Sequence, residues 1–241
     1  MAVDSKLRRE QPKSETARLK RRSTIAPERA TACAMTVTIV DYGAGNLHSV
    51  QHALRAVGVQ ARLESDADAL REAERIVFPG VGHAQSAMQT LQDRGLDEAL
   101  RDAVARGIPV LGICVGAQLI LDGSEESRIP CLGLIKGTAR RFGFTDSTLK
   151  VPHIGWNEVK LARPHPLLNY LQAGDEFYFV HSYYPDPSEQ QHVFATCDYG
   201  SPFCCALGRD NLFAAQFHPE KSGPLGLKLL ERFSEWDGRP C

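Results

Sequence analysis

A cysteine flanked by two glycines stands where an apolar run gives way to a helical pattern, in the segment GICVGAQ at residues 112–118. Glycines on both sides of a nucleophile allow the sharp strand-to-helix turn that lifts its side chain above a sheet. The start of the helix stabilises negative charge on the sulfur, and the backbone N–H of Val115 would point at a developing oxyanion. A buried structural cysteine is the simpler alternative, but the paired glycines favour Cys114 as a nucleophile for acyl transfer.

A cysteine nucleophile needs a base that is oriented by a third group, and the segment QFHPE at residues 216–220 offers both. His218 follows the apolar run LFAAQF, which places it at the end of a strand, and Glu220 can accept a hydrogen bond from the imidazole. Pro219 stiffens the connection between them. A lone histidine at a strand end would be structural, but together with the cysteine motif we expect a triad of Cys114, His218 and Glu220.

A third candidate is the loop PGVG at residues 79–82, after the apolar run RIVF. Two glycines around one residue permit unusual backbone angles and expose consecutive N–H groups. Alone the motif is only a turn, but the carboxyl ends of parallel strands meet at one edge of a sheet. We therefore expect Gly80, Val81 and Gly82, together with Val115, to supply an oxyanion hole.

The elements that must position these segments alternate along the chain from Met35. Apolar runs predict strands at MTVTIVDYG, ARLE, RIVFPGVG and PVLGIC. Helical spacing predicts helices over 46–57, 83–94 and 96–106, and another that begins at VGAQLIL. This alternation implies a parallel sheet with right-handed crossovers and helices on both faces.

The second half of the chain changes character. Strand-like segments joined by short turns follow one another: TARRFGF, NEVKLA, EFYFVHSYY, HVFATCDYG, PFCCALGR and LFAAQFHPE. They predict an antiparallel extension of the sheet, closed by a terminal helix around GPLGLKLLERFSEW. The expected fold class is therefore α/β, with a mostly parallel central sheet and an antiparallel extension in the C-terminal half.

The composition restricts the class of function. The chain has 241 residues, of which 43% are hydrophobic and 24% charged, and its formal net charge of -1 gives no basis for nucleic-acid or anionic-membrane binding. Its seven cysteines form no C-x-x-C pair, which indicates free thiols in a reducing compartment, and we expect the cytoplasm. No motif predicts a metal or a cofactor, and no apolar run approaches the roughly 20 residues of a membrane helix.

Residues 1–34 differ from the rest, since they are rich in Arg, Lys, Ser and Thr and poor in large apolar side chains. Such a segment cannot bury enough surface to offset its ordering entropy. We therefore predict a disordered basic tail before a single domain at 35–241. Acidic residues argue against a transit peptide: Asp4, Glu10, Glu15 and Glu28. The alternative is that Met35 is the natural start.

The combination G-x-C-x-G-x-Q with a distant H-P-E resembles the class I (triad) glutamine amidotransferases. Segments between Met35 and Trp236 resemble, more specifically, the glutaminase subunits of imidazole glycerol phosphate synthase: VDYGAGNLHSV, FPGVG, GLIKGTARRF, VPHIGWNEV, YFVHSYY and NLFAAQFHPEKSG. The resemblance implies that Cys114 attacks the side-chain amide of glutamine, and that ammonia passes to a (β/α)8-barrel cyclase partner in histidine biosynthesis. Val115 and Ala117 depart from the family, which more often has Leu and Met there.

The resemblance also implies roles that spacing alone does not assign. The residues that would line the glutamine pocket are Gln118, His181, Ser182 and Tyr183. Those that would lie towards the cyclase are Asn46, Trp156 and Lys221. Without the resemblance, Trp156 is equally well explained as a core residue, Tyr183 as a half-buried strand residue and Lys221 as a solvated one.

Glycine on both sides of Val81 leaves the loop free to rotate its peptide groups. We hypothesise that the free chain holds this loop with its N–H groups turned away from the oxyanion. Binding of the partner and of the ammonia-accepting molecule would then correct the orientation of these N–H groups. Hydrolysis of glutamine at full rate by the isolated chain would contradict this hypothesis.

Three other functions stay open to the sequence. One is a glutaminase that serves another synthase, such as those making anthranilate, guanine nucleotides or pyridoxal phosphate; DYGAGNLHSV and PHIGWN weigh against it. Another is a non-catalytic α/β module with a vestigial triad, and covalent labelling of Cys114 would decide against it. The last is a general cysteine hydrolase, which Gln118 disfavours because it matches a residue that holds glutamine.

Overall fold

The computed structural model describes residues 36–145 and 148–239. The predicted tail at 1–34 lies outside these residues. The helices are α1 (Leu47–Ala56), α2 (Ala67–Arg71), α3 (Ala84–Asp93), α4 (Leu96–Ala105), α5 (Val115–Leu119) and α6 (Gly223–Glu235). The strands of the first half are β1 (Thr36–Val40), β2 (Gln60–Glu64), β3 (Ile76–Gly80), β4 (Val110–Cys114), β5 (Gly123–Ser124) and β6 (Ser127–Pro130). Those of the second half are β7 (Gly137–Arg141), β8 (His153–Glu158), β9 (Lys160–Leu161), β10 (Glu176–His181), β11 (Tyr183–Pro187), β12 (Val193–Asp198), β13 (Pro202–Arg209) and β14 (Leu212–Ala215).

The central sheet has eight strands in the order β2-β1-β3-β4-β14-β13-β12-β9. Neighbours from β2 to β14 run parallel, whereas β13, β12 and β9 are added antiparallel. Because the strand order reverses at β1, right-handed crossovers place α1 on one face and α2, α3 and α4 on the other. Helix α6 packs against α1. The predicted α/β class, with a mostly parallel sheet, helices on both faces and an antiparallel extension, is confirmed.

Strand β14 takes a position that its local pattern does not specify. The sequence groups it with the antiparallel segments, but it pairs parallel with β4, with Leu212 opposite Val110 and Ala215 opposite Ile113. All of its residues are buried, as is usual for a strand covered on both faces. An apolar run shows that a strand is buried without showing which neighbour it pairs with, so its place beside β4 emerges only from the assembled sheet.

The other strands form two smaller sheets, one of β10 and β8 and one in the order β11-β7-β5-β6, which also includes the short strands β5 and β6 of the first half. Strand β8 begins at His153, ahead of the predicted strand NEVKLA, and pairs antiparallel with β10 so that His153 lies opposite His181. Helix α2 and the short strands β5 and β6 were not predicted. The antiparallel segments therefore build walls beside the central sheet as well as extending it.

The carboxyl ends of three neighbouring strands bring the sequence motifs to one edge of the sheet. Strands β3 and β4 are fully buried, and their register sets Gly80 opposite Cys114. Strand β14 ends level with them, with the QFHPE segment directly after it. The loop, the cysteine and the histidine are thus positioned by the three adjacent central strands.

Candidate active site

Cys114 lies at a strained turn between β4 and α5. Its backbone angles are φ 56° and ψ −109°, a combination outside the regions that L residues ordinarily adopt, and such strained conformations are concentrated at functional sites. The turn requires glycine at 116, because a Cβ there would collide with the carbonyl oxygen of Phe78. The side chain of Cys114 is buried, with 4% exposure, and it borders a cavity. The structure therefore gives Cys114 the nucleophile-elbow geometry that the glycine spacing predicts.

His218 and Glu220 form a buried pair beside this cysteine. The imidazole Nδ1 lies 2.7 Å from Glu220 Oε1. The backbone of His218 is held in place, since its N–H donates to the Tyr178 carbonyl at 3.0 Å and its carbonyl accepts from Ser222 Oγ at 2.7 Å. Because a carboxylate can only accept, Nδ1 carries the proton of this bond and Nε2 is left for the cysteine side.

The electrostatic setting of His218 favours the imidazolium. Burial lowers the pKa of His218, but its interactions with the Cys114 sulfur and with Glu220 outweigh burial and raise the pKa to about 10. The Nε2 atom nevertheless has no hydrogen-bond partner among the described residues. The imidazole therefore lies close enough to the Cys114 sulfur for the two groups to interact and for this interaction to raise the pKa of His218.

Two hydrogen-bonded glutamines lead from the sulfur to the Tyr183 carbonyl, and one of them contacts the sulfur. Gln216 Nε2 donates to Cys114 Sγ at 3.6 Å, and Gln216 Oε1 accepts from Gln118 Nε2 at 3.0 Å. Gln118 Nε2 also donates to the Tyr183 carbonyl at 3.0 Å. The sequence reasoning missed the role of Gln216. The available signal was its position two residues before His218, which in an extended segment places both side chains on the same face.

The cavity at Cys114 has a volume of about 290 Å³. It is lined by Val81, Gly82, Cys114, Val115, Gln118, Glu126, Pro152, Val180, His181, Ser182, Tyr183, His218 and Lys221. All four residues predicted to line a glutamine pocket are in this set, and so are three of the four predicted for the oxyanion hole. Gly80, the fourth, is paired with Cys114 in the sheet.

Glu126 is a site residue that the sequence reasoning did not identify. It lies between β5 and β6, its side chain is half-buried, and one carboxylate oxygen accepts the backbone N–H of Ala84 at 2.6 Å. That bond ties the carboxylate to the start of α3 at the wall of the cavity. Nothing in a single sequence distinguishes Glu126 from its neighbour Glu125, because only the fold turns one of them towards Cys114.

The residues predicted to face a partner are exposed in this structure. Asn46 is exposed just before α1, and Lys221 is exposed with its ammonium 5.8 Å from the Tyr178 ring centre. Trp156 is 53% exposed and lies edge-on to the same tyrosine, at 6.1 Å between ring centres. The alternative that Trp156 is a core residue is therefore wrong. Trp156 and Lys221 flank one tyrosine and form a common surface.

Metal binding would require a cluster of ligand side chains, and membrane insertion would require a long apolar helix. In residues 36–145 and 148–239, no group of three His, Cys, Asp or Glu side chains is arranged to hold a metal ion. Across these same ranges, none of the helices has both the length and the apolar character needed to cross a bilayer.

Comparison with known proteins connects this geometry to a family. Residues 38–235 match the family model of glutamine amidotransferase class-I. The imidazole glycerol phosphate synthase subunit HisH of Acinetobacter baylyi is 47% identical over 203 residues, which cover 83% of this chain and 98% of the relative. The HisH protein from Dechloromonas aromatica is 46% identical over 214 residues, covering 86% of this chain and 99% of the relative.

Solved structures agree on the fold. PurLQS from Thermotoga maritima matches with a TM-score of 0.65 at 20% identity, covering 82% of this chain and 96% of that one. A glutamine amidotransferase from the same organism matches with a TM-score of 0.57 at 14% identity, covering 78% and 76%. The chain therefore belongs to the glutamine amidotransferase class-I family, and within that family its sequence places it with the HisH subunits of imidazole glycerol phosphate synthase.

Proposed function

We propose that this chain is the glutaminase subunit of an imidazole glycerol phosphate synthase and that it hydrolyses glutamine to glutamate and ammonia through a thioester on Cys114. The observation that carries the proposal is the arrangement of Cys114 at a strained turn beside the buried His218–Glu220 pair, whose Nδ1 to Oε1 distance is 2.7 Å. A nucleophile, a base and a group that orients the base are the parts that acyl transfer requires. The HisH relatives carry the subunit name.

The reaction follows from the positions of these groups. The proton of the Cys114 thiol moves to His218 Nε2, and the sulfur attacks the side-chain carbonyl carbon of glutamine while the oxygen takes up the electron pair of the C=O bond. When the tetrahedral intermediate collapses, the C–N bond breaks and His218 Nε2 delivers its proton to the departing ammonia. Water, deprotonated by His218, then cleaves the γ-glutamyl thioester and releases glutamate. Glu220 holds Nδ1–H throughout, so that Nε2 stays on the side of the sulfur.

The oxyanion of the intermediate needs N–H donors at the edge of the sheet. Val81, Gly82 and Val115 line the cavity next to Cys114, and Gly80 lies opposite Cys114 in the parallel register. Losing one such donor typically raises the barrier by about 2.7–4 kcal/mol. A rotation of one peptide in the Gly80–Gly82 loop is therefore large enough to switch the activity. We propose that binding of the partner sets this peptide.

Recognition of glutamine requires groups for its charged α-carbon substituents. Glu126 contributes a carboxylate to the cavity wall, fixed at 2.6 Å from the Ala84 N–H, and we assign it to the α-ammonium group. The Nε2 atom of Gln118 donates to Tyr183 and Gln216, so its N–H groups are held by protein contacts that shape the pocket. Ser182 and Tyr183 line the wall beyond it.

The partner is proposed to be the (β/α)8-barrel cyclase subunit, with ammonia passed to it to form imidazole glycerol phosphate and aminoimidazole carboxamide ribonucleotide in histidine biosynthesis. Large apolar side chains are exposed close to the site: Val81 is 38% exposed, Ile154 61% and Trp156 53%. Val81 also lines the cavity, so one of these exposed apolar side chains lies next to the reacting centre. Such exposure favours a protein interface over solvent.

Glutamate release from glutamine tests the proposal. The full chain is assayed alone, then with the cyclase barrel subunit and its phosphorylated ribulosyl ligand, with Cys114→Ala as the control. We expect strong stimulation by the partner plus ligand, and no release by the variant. Activity without any stimulation would keep the triad but remove the named partner, and the absence of activity in every mixture would leave the non-catalytic module as the function.

A further inference from the structure

A continuous series of hydrogen bonds runs from Asn157 on strand β8 to the nucleophile, and its central members, His153 and His181, are buried. Asn157 Nδ2 lies 3.4 Å from His153 Nε2, His153 Nδ1 lies 3.1 Å from His181 Nε2, and His181 Nδ1 lies 2.8 Å from the Tyr183 carbonyl oxygen. That oxygen also accepts from Gln118, which leads through Gln216 to Cys114 Sγ. We call this series the His153 chain; its members are Asn157, His153, His181, the Tyr183 carbonyl, Gln118, Gln216 and Cys114.

The direction of each bond in the His153 chain is determined by its acceptor. A carbonyl oxygen only accepts, so His181 must carry its proton on Nδ1, which leaves Nε2 as an acceptor when the ring is neutral. His153 must then donate from Nδ1, and its own Nε2 accepts from the amide of Asn157. The two histidines are therefore both neutral Nδ1–H tautomers, and every member of the series has a defined role.

The surroundings keep both rings neutral. His153 and His181 are 3% and 5% exposed, and burial lowers the pKa of His153 to about 4 and that of His181 to about 3. Burial is the main cause for His181, and the nearby imidazoles of His153 and His218 also oppose its protonation, because two positive charges close together repel each other. Around His153 the neighbours are aromatic, with Tyr199 stacked at 4.1 Å between ring centres.

The end of the His153 chain next to Cys114 determines how the series affects the reacting sulfur. Both ring nitrogens of His181 are used by protein groups, so its side chain holds the Tyr183 carbonyl in place. That carbonyl and Gln216 Oε1 together take the two N–H groups of Gln118. Gln216 is consequently left with its N–H towards the Cys114 sulfur. If His153 carried its proton on Nε2, its Nδ1 would become an acceptor. His181 would then have to donate from Nε2 and would lose its hydrogen bond to the Tyr183 carbonyl.

We propose that His153 is a positioning residue for glutamine hydrolysis, which acts by donating from Nδ1 to His181 and thereby fixes the Tyr183 carbonyl, Gln118 and Gln216 around the Cys114 sulfur. The inference rests on the proposed glutaminase function. His153 opens the same strand that carries the exposed Ile154 and Trp156, so the series connects the surface predicted to meet a partner with the nucleophile.

Two variants of similar size separate hydrogen bonding from packing. His153→Asn keeps an N–H close to the position of Nδ1, whereas His153→Leu has no donor, and both lose the stacking on Tyr199. With the cyclase subunit and its ligand present, we expect His153→Leu to lower kcat about tenfold, the size of effect for one lost buried hydrogen bond, with KM for glutamine changed less than about twofold. His153→Asn should retain most of kcat. Equal loss in both variants, or loss in neither, would overturn the proposal.

A spectroscopic readout tests the tautomers directly. Long-range ¹H–¹⁵N spectra of the imidazoles in the full chain should show both His153 and His181 as neutral Nδ1–H forms from about pH 6 to 8. In His153→Leu, the Nε2 atom of His181 loses its hydrogen-bond donor, so its ¹⁵N resonance should move towards that of a free acceptor nitrogen while Nδ1–H stays on the Tyr183 carbonyl. An Nε2–H form of either ring in the unsubstituted chain would overturn the proposal, whatever the kinetics show.

The glutamate-release assay and the NMR spectra together distinguish failure of this inference from failure of the proposed function. If the unsubstituted chain releases no more glutamate than Cys114→Ala, the glutaminase function fails, while the NMR tautomers still report on the His153 chain. If the unsubstituted chain is active and His153→Leu matches it, the function stands and the inference is overturned.

Discussion

Gly80 and Cys114 lie opposite each other in the parallel pairing of β3 and β4. The loop that follows Gly80 therefore lies directly beside the nucleophile. The backbone pairing of β3 with β4 fixes the position of this loop relative to Cys114. The next strand, β14, adds His218 to the same edge. The geometry of the site depends on this register, since a shift of one residue would reverse the side-chain directions along a strand.

Glu220→Gln should lower the pKa of His218 and the rate together. Two interactions, with Cys114 and with Glu220, raise the pKa of His218 to about 10, and the variant removes the charge of the second. We expect kcat for glutamate release to fall about 10²- to 10⁴-fold, as for other triads that lose the group orienting the base. Steady-state assays with the partner present, and NMR titration of His218, provide the measurement.

The effect of this substitution on stability depends on pH in a defined direction. A folded pKa of about 10, above the unfolded value of about 6.5, contributes stability that is fully present below pH 6.5 and is lost as the pH rises through 10. The difference in unfolding free energy between the unsubstituted chain and Glu220→Gln should therefore shrink from pH 6.5 towards pH 10. A difference that grows over that range would contradict the assignment.

Glu126→Gln should weaken glutamine binding. The carboxylate at the cavity wall is assigned to the substrate ammonium, and the amide keeps an acceptor for the Ala84 N–H while removing the charge. We expect KM to rise about 10- to 100-fold, the range for a lost hydrogen bond to a charged group. The matched control is Glu125→Gln, whose exposed side chain pairs with Arg140, and which should leave KM unchanged. Equal KM values for the two variants would exclude the assignment.

Gly116→Ala should destabilise the fold at the elbow. A Cβ at this position meets the carbonyl oxygen of Phe78, which is backbone and cannot rotate away, so the strand or the turn must shift. We expect a loss of about 1–3 kcal/mol in unfolding free energy, typical of overpacking. Gly123→Ala is the control, because a Cβ at Gly123 meets nothing within 4 Å. Denaturant unfolding compares the two, and equal midpoints would argue against the steric explanation.

Tyr42→Phe should stabilise the chain, because the Tyr42 hydroxyl is buried without a hydrogen-bond partner among the described residues. Its ring packs on Phe78 at 5.9 Å between centres, and phenylalanine keeps that contact. Burial and the nearby Cys114 raise the pKa of Tyr42, so the hydroxyl stays protonated and desolvated. We expect a gain of about 1 kcal/mol on removing an unsatisfied polar group.

The control for this prediction is Tyr170→Phe. The Tyr170 hydroxyl donates to the Leu225 carbonyl at 2.6 Å, so removing it should cost about 1 kcal/mol. Thermal or denaturant unfolding should therefore give opposite signs for the two variants. Destabilisation by Tyr42→Phe of the same size as by Tyr170→Phe would show that the Tyr42 hydroxyl has a partner after all.

The sequence predicted those parts of the site that short motifs specify. The segments around Cys114, His218 and Gly80 combine residue type with local backbone requirements, so their placement at strand ends could be read directly. Gln216 and Glu126 could not, since Gln216 contacts a sulfur 102 residues away and Glu126 differs from Glu125 only in the direction it takes after folding. Such contacts depend on the assembled sheets.

The same physical limit applies to the fold. Alternation of apolar strands and helices predicted the parallel half of the sheet, because each strand follows its own crossover helix. The antiparallel half was predicted as one extension, whereas β8 and β10 form a separate sheet. Pairing between distant strands is set by which apolar faces cover each other, and this information is not contained in any one segment.

The most direct test of Cys114 as the nucleophile is covalent labelling of the full chain by a glutamine-mimicking electrophile, with the cyclase subunit and its ligand present. Intact mass and peptide mapping should show one adduct on Cys114, prevented by excess glutamine and absent from Cys114→Ala, with glutamate release lost in parallel. Cys131 is the matched internal comparison, because burial raises the pKa of its thiol to about 11 and it should stay unlabelled. An adduct on another cysteine, or full glutamate release by Cys114→Ala, would contradict the assignment of Cys114 as the nucleophile.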